Sequence, residues 1–156
     1  MFDTLADVPQ VGVALSLVSL AMVGIAADLP ETPAPDATAP AATVDRAAAA
    51  MHPTTAAHPL TATEVKTGPR EIVLRNGGGT AHAAFTYGPV TPAPETGPLR
   101  RVLRGAPPDS EFETAAALRD AAREQRTKTP RWQSAGDELL VRHVTWGEID
   151  VTLVGA

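Results

Sequence analysis

Four histidines are the first residues to test for chemistry, and their neighbours decide what each can do. His52 and His58 each precede a proline, while His82 and His143 stand in separate stretches that alternate like strands. First-row metals are usually gripped by close pairs of the HxH or HxxxH kind; the chain has neither, so no metal site is expected. His143 and Asp150 flank what reads as a hairpin loop, and a cross-strand His–Asp pair is half of the arrangement that activates a serine. That reading needs a serine close by; the plainer one is an exposed charge pair. Asn76-Gly77-Gly78-Gly79 has the composition of a phosphate cradle, but no helix follows it and no Lys-Ser/Thr closes it, so it reads as a turn. Arg100, Arg101 and Arg104 make a basic knot able to meet lipid headgroups or an acidic partner, with a solvated turn as the plainer reading. Trp132, Trp146 and Tyr87 could line a ligand surface; with aromatics at only 4% of residues, they are expected to serve as core instead. No catalytic residue and no cofactor emerges, and Arg100, Arg101, Arg104, His143 and Asp150 remain as a candidate interaction surface.

The elements that must position these residues are legible in outline. Thr63 to Thr67 and Arg70 to Arg75 alternate as strands, the glycine turn follows, and Thr80 to Tyr87 resumes, which predicts a hairpin. Glu138 to Thr145 and Glu148 to Val154 flank Trp146-Gly147; with those two as the loop, Val144 faces Ile149, Arg142 faces Val151 and Leu140 faces Leu153. One face of that pair is apolar, and the other carries Val141, His143, Asp150 and Thr152. Ser110 and Glu113 have the spacing of a capping box, predicting a helix to about Arg126 with Phe112, Ala115, Leu118 and Ala122 as its apolar stripe. Leu99 to Arg104 reads as a helical turn closed by Gly105. A second short helix is allowed from Thr43, as N-cap, to Met51, ahead of His52-Pro53. The expectation is an α+β domain over 61–156: a small antiparallel sheet of four or five strands with one packed helix.

Composition narrows the partners. Net charge is −5 with the acids spread along the chain, which leaves no basic face for a phosphate backbone, so nucleic acid is not expected. Cysteine is absent, which removes disulfides and thiolate metal sites. Lysine occurs only as Lys66 and Lys128 while arginine is plentiful, the balance of a GC-rich genome and, with the acidic excess, of a salt-adapted organism.

From Val11 to Ala27 the chain is uncharged, with Ser16 and Ser19 its only polar side chains. Taken from Pro9 to Asp28 as a helix, it spans roughly 30 Å, the thickness of a bilayer's hydrocarbon core. Residues 1–29 are therefore expected to hold a single transmembrane helix. A cleaved secretory signal ending near Gly24-Ile25-Ala26 and a helix buried in a soluble domain stay open as alternatives; the missing Lys or Arg before the run argues against the signal. Gly12, Ser16 and Ser19 share one side of that helix and would let another helix approach closely. Pro30, Pro33, Pro35 and Pro40 then mark 30–60 as an extended stalk. The nearest cation to the run is Arg46, so orientation is weakly specified; the stalk places the C-terminal domain outside the cytoplasm.

A hydrophobic N-terminal helix, an Ala/Pro/Thr stalk and a β-rich head resemble pilin-like and secretion-associated small proteins of halophilic archaea. The run GPREIVLRNGGGTAHAAFTYGPVTPA and the ending VRHVTWGEIDVTLVGA are similar to an uncharacterised haloarchaeal family found near type IV pilus or secretion genes, a likeness spanning most of the chain after Val44. The resemblance implies an accessory or structural role. Archaeal pilin precursors carry a basic residue just before the hydrophobic stretch, and this chain has none there, which speaks against a processed, polymerising subunit. The expected function is a non-enzymatic, membrane-anchored protein that meets protein partners in a surface-filament or secretion assembly. An extracytoplasmic module for a small ligand or cell-surface polymer is the alternative, and a hydrolase using His143 and Asp150 the third.

Overall fold

Small side chains at helical spacing set the first element of the computed structural model, which describes residues 32–156. Helix α1 runs Thr38–Ala48 and buries Pro40, Ala41, Thr43, Val44 and Ala47, a stripe narrow enough to lie close against a sheet. Asp36 Oδ1 accepts from the Thr38 N–H at 2.8 Å, and Pro40 sits in the first turn, where a missing N–H costs no intrahelical bond. Strand β1, Thr54–Pro59, follows. Both lie in the stretch expected as a stalk. The helix also begins earlier than the Thr43 cap predicts: Thr43 is inside it, its hydroxyl donating to the Ala39 carbonyl at 3.2 Å. Proline in a first turn and alanines that fit a tight contact are core-forming here, whereas composition alone makes them look like linker.

Strands β2 (Glu64–Thr67), β3 (Glu71–Asn76) and β4 (Gly79–Ala84) form an antiparallel meander. Its β3–β4 turn is built as expected: Asn76 Oδ1 accepts from the Gly78 N–H at 2.8 Å, and Gly79 takes φ +146. Strand β5 is only Thr91–Pro92. Helix α2 spans Pro98–Leu103, and α3, Pro108–Glu111, is a single turn. Helix α4 runs Ala115–Thr127. The capping box does not form, because Ser110 turns its hydroxyl to the Pro107 carbonyl at 2.7 Å and Phe112 is extended. Thr114 caps α4 instead, accepting from the Ala117 N–H at 3.1 Å. Strands β6 (Gln133–Ser134), β7 (Glu138–Trp146) and β8 (Ile149–Gly155) complete the chain.

Two four-stranded sheets result, in the orders β1-β7-β8-β5 and β4-β3-β2-β6. The fold is α+β, with two sheets and several helices where one sheet and one helix are expected. Every strand pair is antiparallel except β5–β8, whose parallel pairing needs the long connection through the helices. In the β7–β8 hairpin Val144 pairs with Val151 and Trp146 with Ile149, two residues displaced from the expected register. A tight two-residue loop favours its glycine first: Gly147 takes φ +63, so Gly147-Glu148 turns and Trp146 stays in the strand. A slip of two preserves which residues share a face.

Both faces of the β1-β7-β8-β5 sheet are covered. On one, Leu139, Val141 and Val154 join Val44 of α1 and Val65, Ile72 and Leu74 of the other sheet. On the opposite face, Val144, Val151 and Leu153 pack with Val102, Leu103, Leu118 and Ala122 from the helices. His143 and Thr152, expected on an exposed face, are consequently buried.

The expected transmembrane helix, with Gly12, Ser16 and Ser19, lies outside the described residues. Among the described residues, no helix is long and apolar enough to cross a membrane.

Candidate functional site

The cations singled out in the sequence take separate jobs. Arg100, half-buried on α2, sends Nη2 to the Ala156 carbonyl at 2.6 Å, while its buried Nε has no partner among the described residues. Burial pulls its pKa below the ordinary guanidinium value; Arg104 lowers it further and Glu95 opposes. Gly155 makes this packing possible: a Cβ there would come within 2.5 Å of Arg100 Nη1 and 2.9 Å of Leu103 Cδ2. Arg101 pairs with Glu111 at 2.7 Å, and Arg104 is exposed at the end of the helix. The three arginines thus diverge from one short helix.

His143 and Asp150 do meet across the hairpin, Nε2 to Oδ1 at 3.9 Å, with the histidine side chain 8% exposed and the carboxylate 62%. The hydroxyl beside His143 belongs to Thr152, 3.0 Å from Nδ1 and buried. Among the described residues no three metal-ligating side chains converge. The aromatic residues are dispersed as well. Trp132 is covered by Arg75 at 4.3 Å and Lys66 at 5.1 Å, Trp146 packs on the helix-side core, and Tyr87 is 56% exposed.

A cleft of about 540 Å³ lies elsewhere, at the seam where the two-residue edge strands β5 and β6 of the two sheets approach each other. Pro92, Ala93, Val154 and Gly155 line it from the central sheet and Thr67 and Gln133 from the other. The end of α4 and the following loop add Gln125, Thr127, Lys128, Thr129, Pro130 and Arg131. Among the described residues its lining therefore holds two cations, two amides and three hydroxyls, and no carboxylate. Arg126, between lining residues, donates from Nε to the fully buried Thr91 Oγ1 at 2.8 Å and so pins α4 to β5. Burial lowers its pKa, with Arg123 adding to the effect.

An adjoining groove of about 160 Å³ is lined by Pro94, Pro98, Leu99, Phe112 and Ala121 together with Glu124, Gln125 and Lys128. Gln125 and Lys128 belong to both depressions, and Pro92, Ala93 and Pro94 run consecutively from one to the other. The paired arrangement offers hydrogen-bond donors and positive charge next to an apolar slot. It suits recognition of an acceptor-rich, anionic group attached to something apolar.

Sequence reasoning passed over Gln125, Lys128, Arg131 and Gln133. The one local signal is the run Lys128-Thr129-Pro130-Arg131, two cations about a helix-ending proline. That these meet Thr67 and Gly155 is a tertiary fact. No curated protein and no solved structure matches the chain. A model for a family of unknown function, DUF7283, matches residues 3–144, and the chain belongs to that family.

Proposed function

We propose that this is a non-enzymatic, membrane-anchored accessory protein whose folded head binds a protein partner of a cell-surface filament or secretion assembly. The observation that carries the binding role is the seam cleft: in a chain of net charge −5, its lining gathers Lys128 and Arg131 and no carboxylate. The uncharged run from Val11 to Ala27 supports the anchor, since its length fits one crossing of a bilayer. The prolines before Asp36 support an extracytoplasmic placement of the head. A second reading, capture of a small ligand or cell-surface polymer in the same cleft, draws on its volume of about 540 Å³, which falls in the ordinary range for small-molecule sites.

Membrane fractionation with protease accessibility and intact-mass measurement tests the anchor, its side and its processing together. The full chain is expected in the membrane fraction, uncut, with its head digestible from outside in intact cells. A variant lacking residues 1–29 is expected in the aqueous fraction. Recovery of the intact full chain from the aqueous fraction would end the proposal.

A further inference from the structure

We infer that the cleft and the groove together take one extended peptide segment in which an acidic side chain neighbours an apolar one. This rests on the binding role proposed above and names the chemistry of the partner's segment. Three observations converge on it. The two depressions are joined along Pro92–Pro94 and share Gln125 and Lys128, so the footprint is long rather than round. Most of the side chains that form its cationic side, Lys128, Thr129, Pro130 and Arg131 among them, are exposed. An open trough of this kind holds a chain that passes through, whereas small-molecule sites enclose most of their ligand.

Charge supplies the second observation. Among the described residues the Lys128 ammonium pairs only with Glu124, at 3.3 Å, with both side chains more than half exposed, a contact worth little in water and readily exchanged. Arg131 is exposed, and among the described residues it makes no ion pair. A carboxylate entering the cleft therefore meets two cations and the amides of Gln125 and Gln133. The third observation is the slot itself: Leu99, Phe112 and Ala121 give an apolar side chain a place to leave water, immediately beyond Lys128.

Fluorescence anisotropy on the full chain in nanodiscs tests this, using a labelled nonapeptide of three Thr-Leu-Glu repeats and its counterpart with glutamine for every glutamate. The acidic peptide is expected to bind at least about tenfold more tightly than the glutamine one, and the difference to shrink in high salt. Joint Lys128→Glu and Arg131→Glu substitution is expected to weaken the acidic peptide by about tenfold or more. The same charge change made by Arg70→Glu and Arg119→Glu, outside both depressions, should leave binding within about twofold. Ala121→Gln, which fills the slot, is expected to weaken both peptides alike. Equal binding of the two peptides, or indifference to the Lys128/Arg131 reversal, overturns the inference. A photo-cross-linker at Gln133 separates its failure from that of the binding role. If the acidic peptide fails while that probe still joins the chain to a membrane protein, the acidic class falls and the binding role stands; if neither binds, both fall.

Discussion

The two four-stranded sheets carry comparable numbers of strands but live in different surroundings, and the difference explains which parts of the chain tolerate change. The central sheet is packed on both faces, so consecutive residues of β7 and β8 point into two separate cores. The peripheral sheet buries one face only. Val65, Ile72 and Leu74 go inward, while Glu64, Lys66 and Arg75 form a half-exposed outer face over which Trp132 lies. A sheet gripped from two sides cannot move to close a void; a sheet with one free face can shift toward the gap.

That contrast sets the largest expected effect. Leu153 of β8 and Leu74 of β3 are both fully buried leucines, 0% and 1% exposed. Leu153→Ala is expected to cost about 4 kcal/mol and Leu74→Ala about 3 kcal/mol, the excess reflecting a cavity that the doubly covered sheet cannot collapse. Urea denaturation of both variants measures it. Equal costs, or a larger one for Leu74→Ala, would break the comparison.

A second effect tests what a polar side chain does inside the two-sided sheet. Arg142 points to the helix side and donates to the carbonyls of Val102 and, at 2.9 Å, Ala106, which lie at and just beyond the end of α2. A cation is favoured by the carbonyls gathered at a helix C-terminus, and here it adds a second donor to the Val102 carbonyl, which also accepts from the Gly105 N–H at 3.0 Å. Arg142→Met keeps most of the bulk but removes this donor from the Ala106 carbonyl and from that of the fully buried Val102, and is expected to cost about 2 kcal/mol. Thermal melts of the variant beside wild type read this, and a loss under about 0.5 kcal/mol would show that water replaces the guanidinium freely.

These two sheets were unequally legible in the sequence. The β3–β4 hairpin is plain because Asn76 and the glycines make a local turn whose conformation only such residues favour. The β7–β8 pair was readable to the face but not to the register, since a two-residue slip leaves the hydrophobic alternation unchanged and only the placement of Gly147 decides it. The edge strands escape because β5 and β6 have two residues each, too short for any periodicity. Strand β1 and the start of α1 hide in a Pro- and Ala-rich stretch whose alanines become core only once β7 is beside them, and only the later part of α1 falls in the helix allowed from Thr43 to Met51. For the same reason the candidate site was missed: its lining comes from β2, β5, α4, β6 and β8, and none of those segments alone marks it. The expected register sets His143 opposite Asp150, whereas Thr152 takes that place and Asp150 reaches His143 only on the diagonal; the burial of His143 follows from packing on that face, which the hairpin alone does not reveal.

The smallest effect belongs to the outer face of the peripheral sheet and sharpens the contrast from the other side. Arg75 pairs with Glu64 at 2.6 Å, but their side chains are 42% and 40% exposed, so solvent screens most of the attraction. Glu64→Gln is accordingly expected to change stability by no more than about 0.5 kcal/mol. Trp132 adds a second partner, with the Arg75 guanidinium 4.3 Å from its ring centre and Lys66 Nζ 5.1 Å away on the neighbouring strand. A double-mutant cycle of Arg75→Met and Trp132→Leu should return a coupling of about 0.5–1 kcal/mol, the worth of an exposed cation over an aromatic face. Repeating the cycle in 1 M salt separates the two contacts, because Glu64–Arg75 weakens under screening while the ring contact, made at close range over an apolar surface, changes less. A coupling near that of the Arg142 substitution would mean that this open face is held as tightly as the enclosed one, and the distinction between the sheets would lose its physical basis.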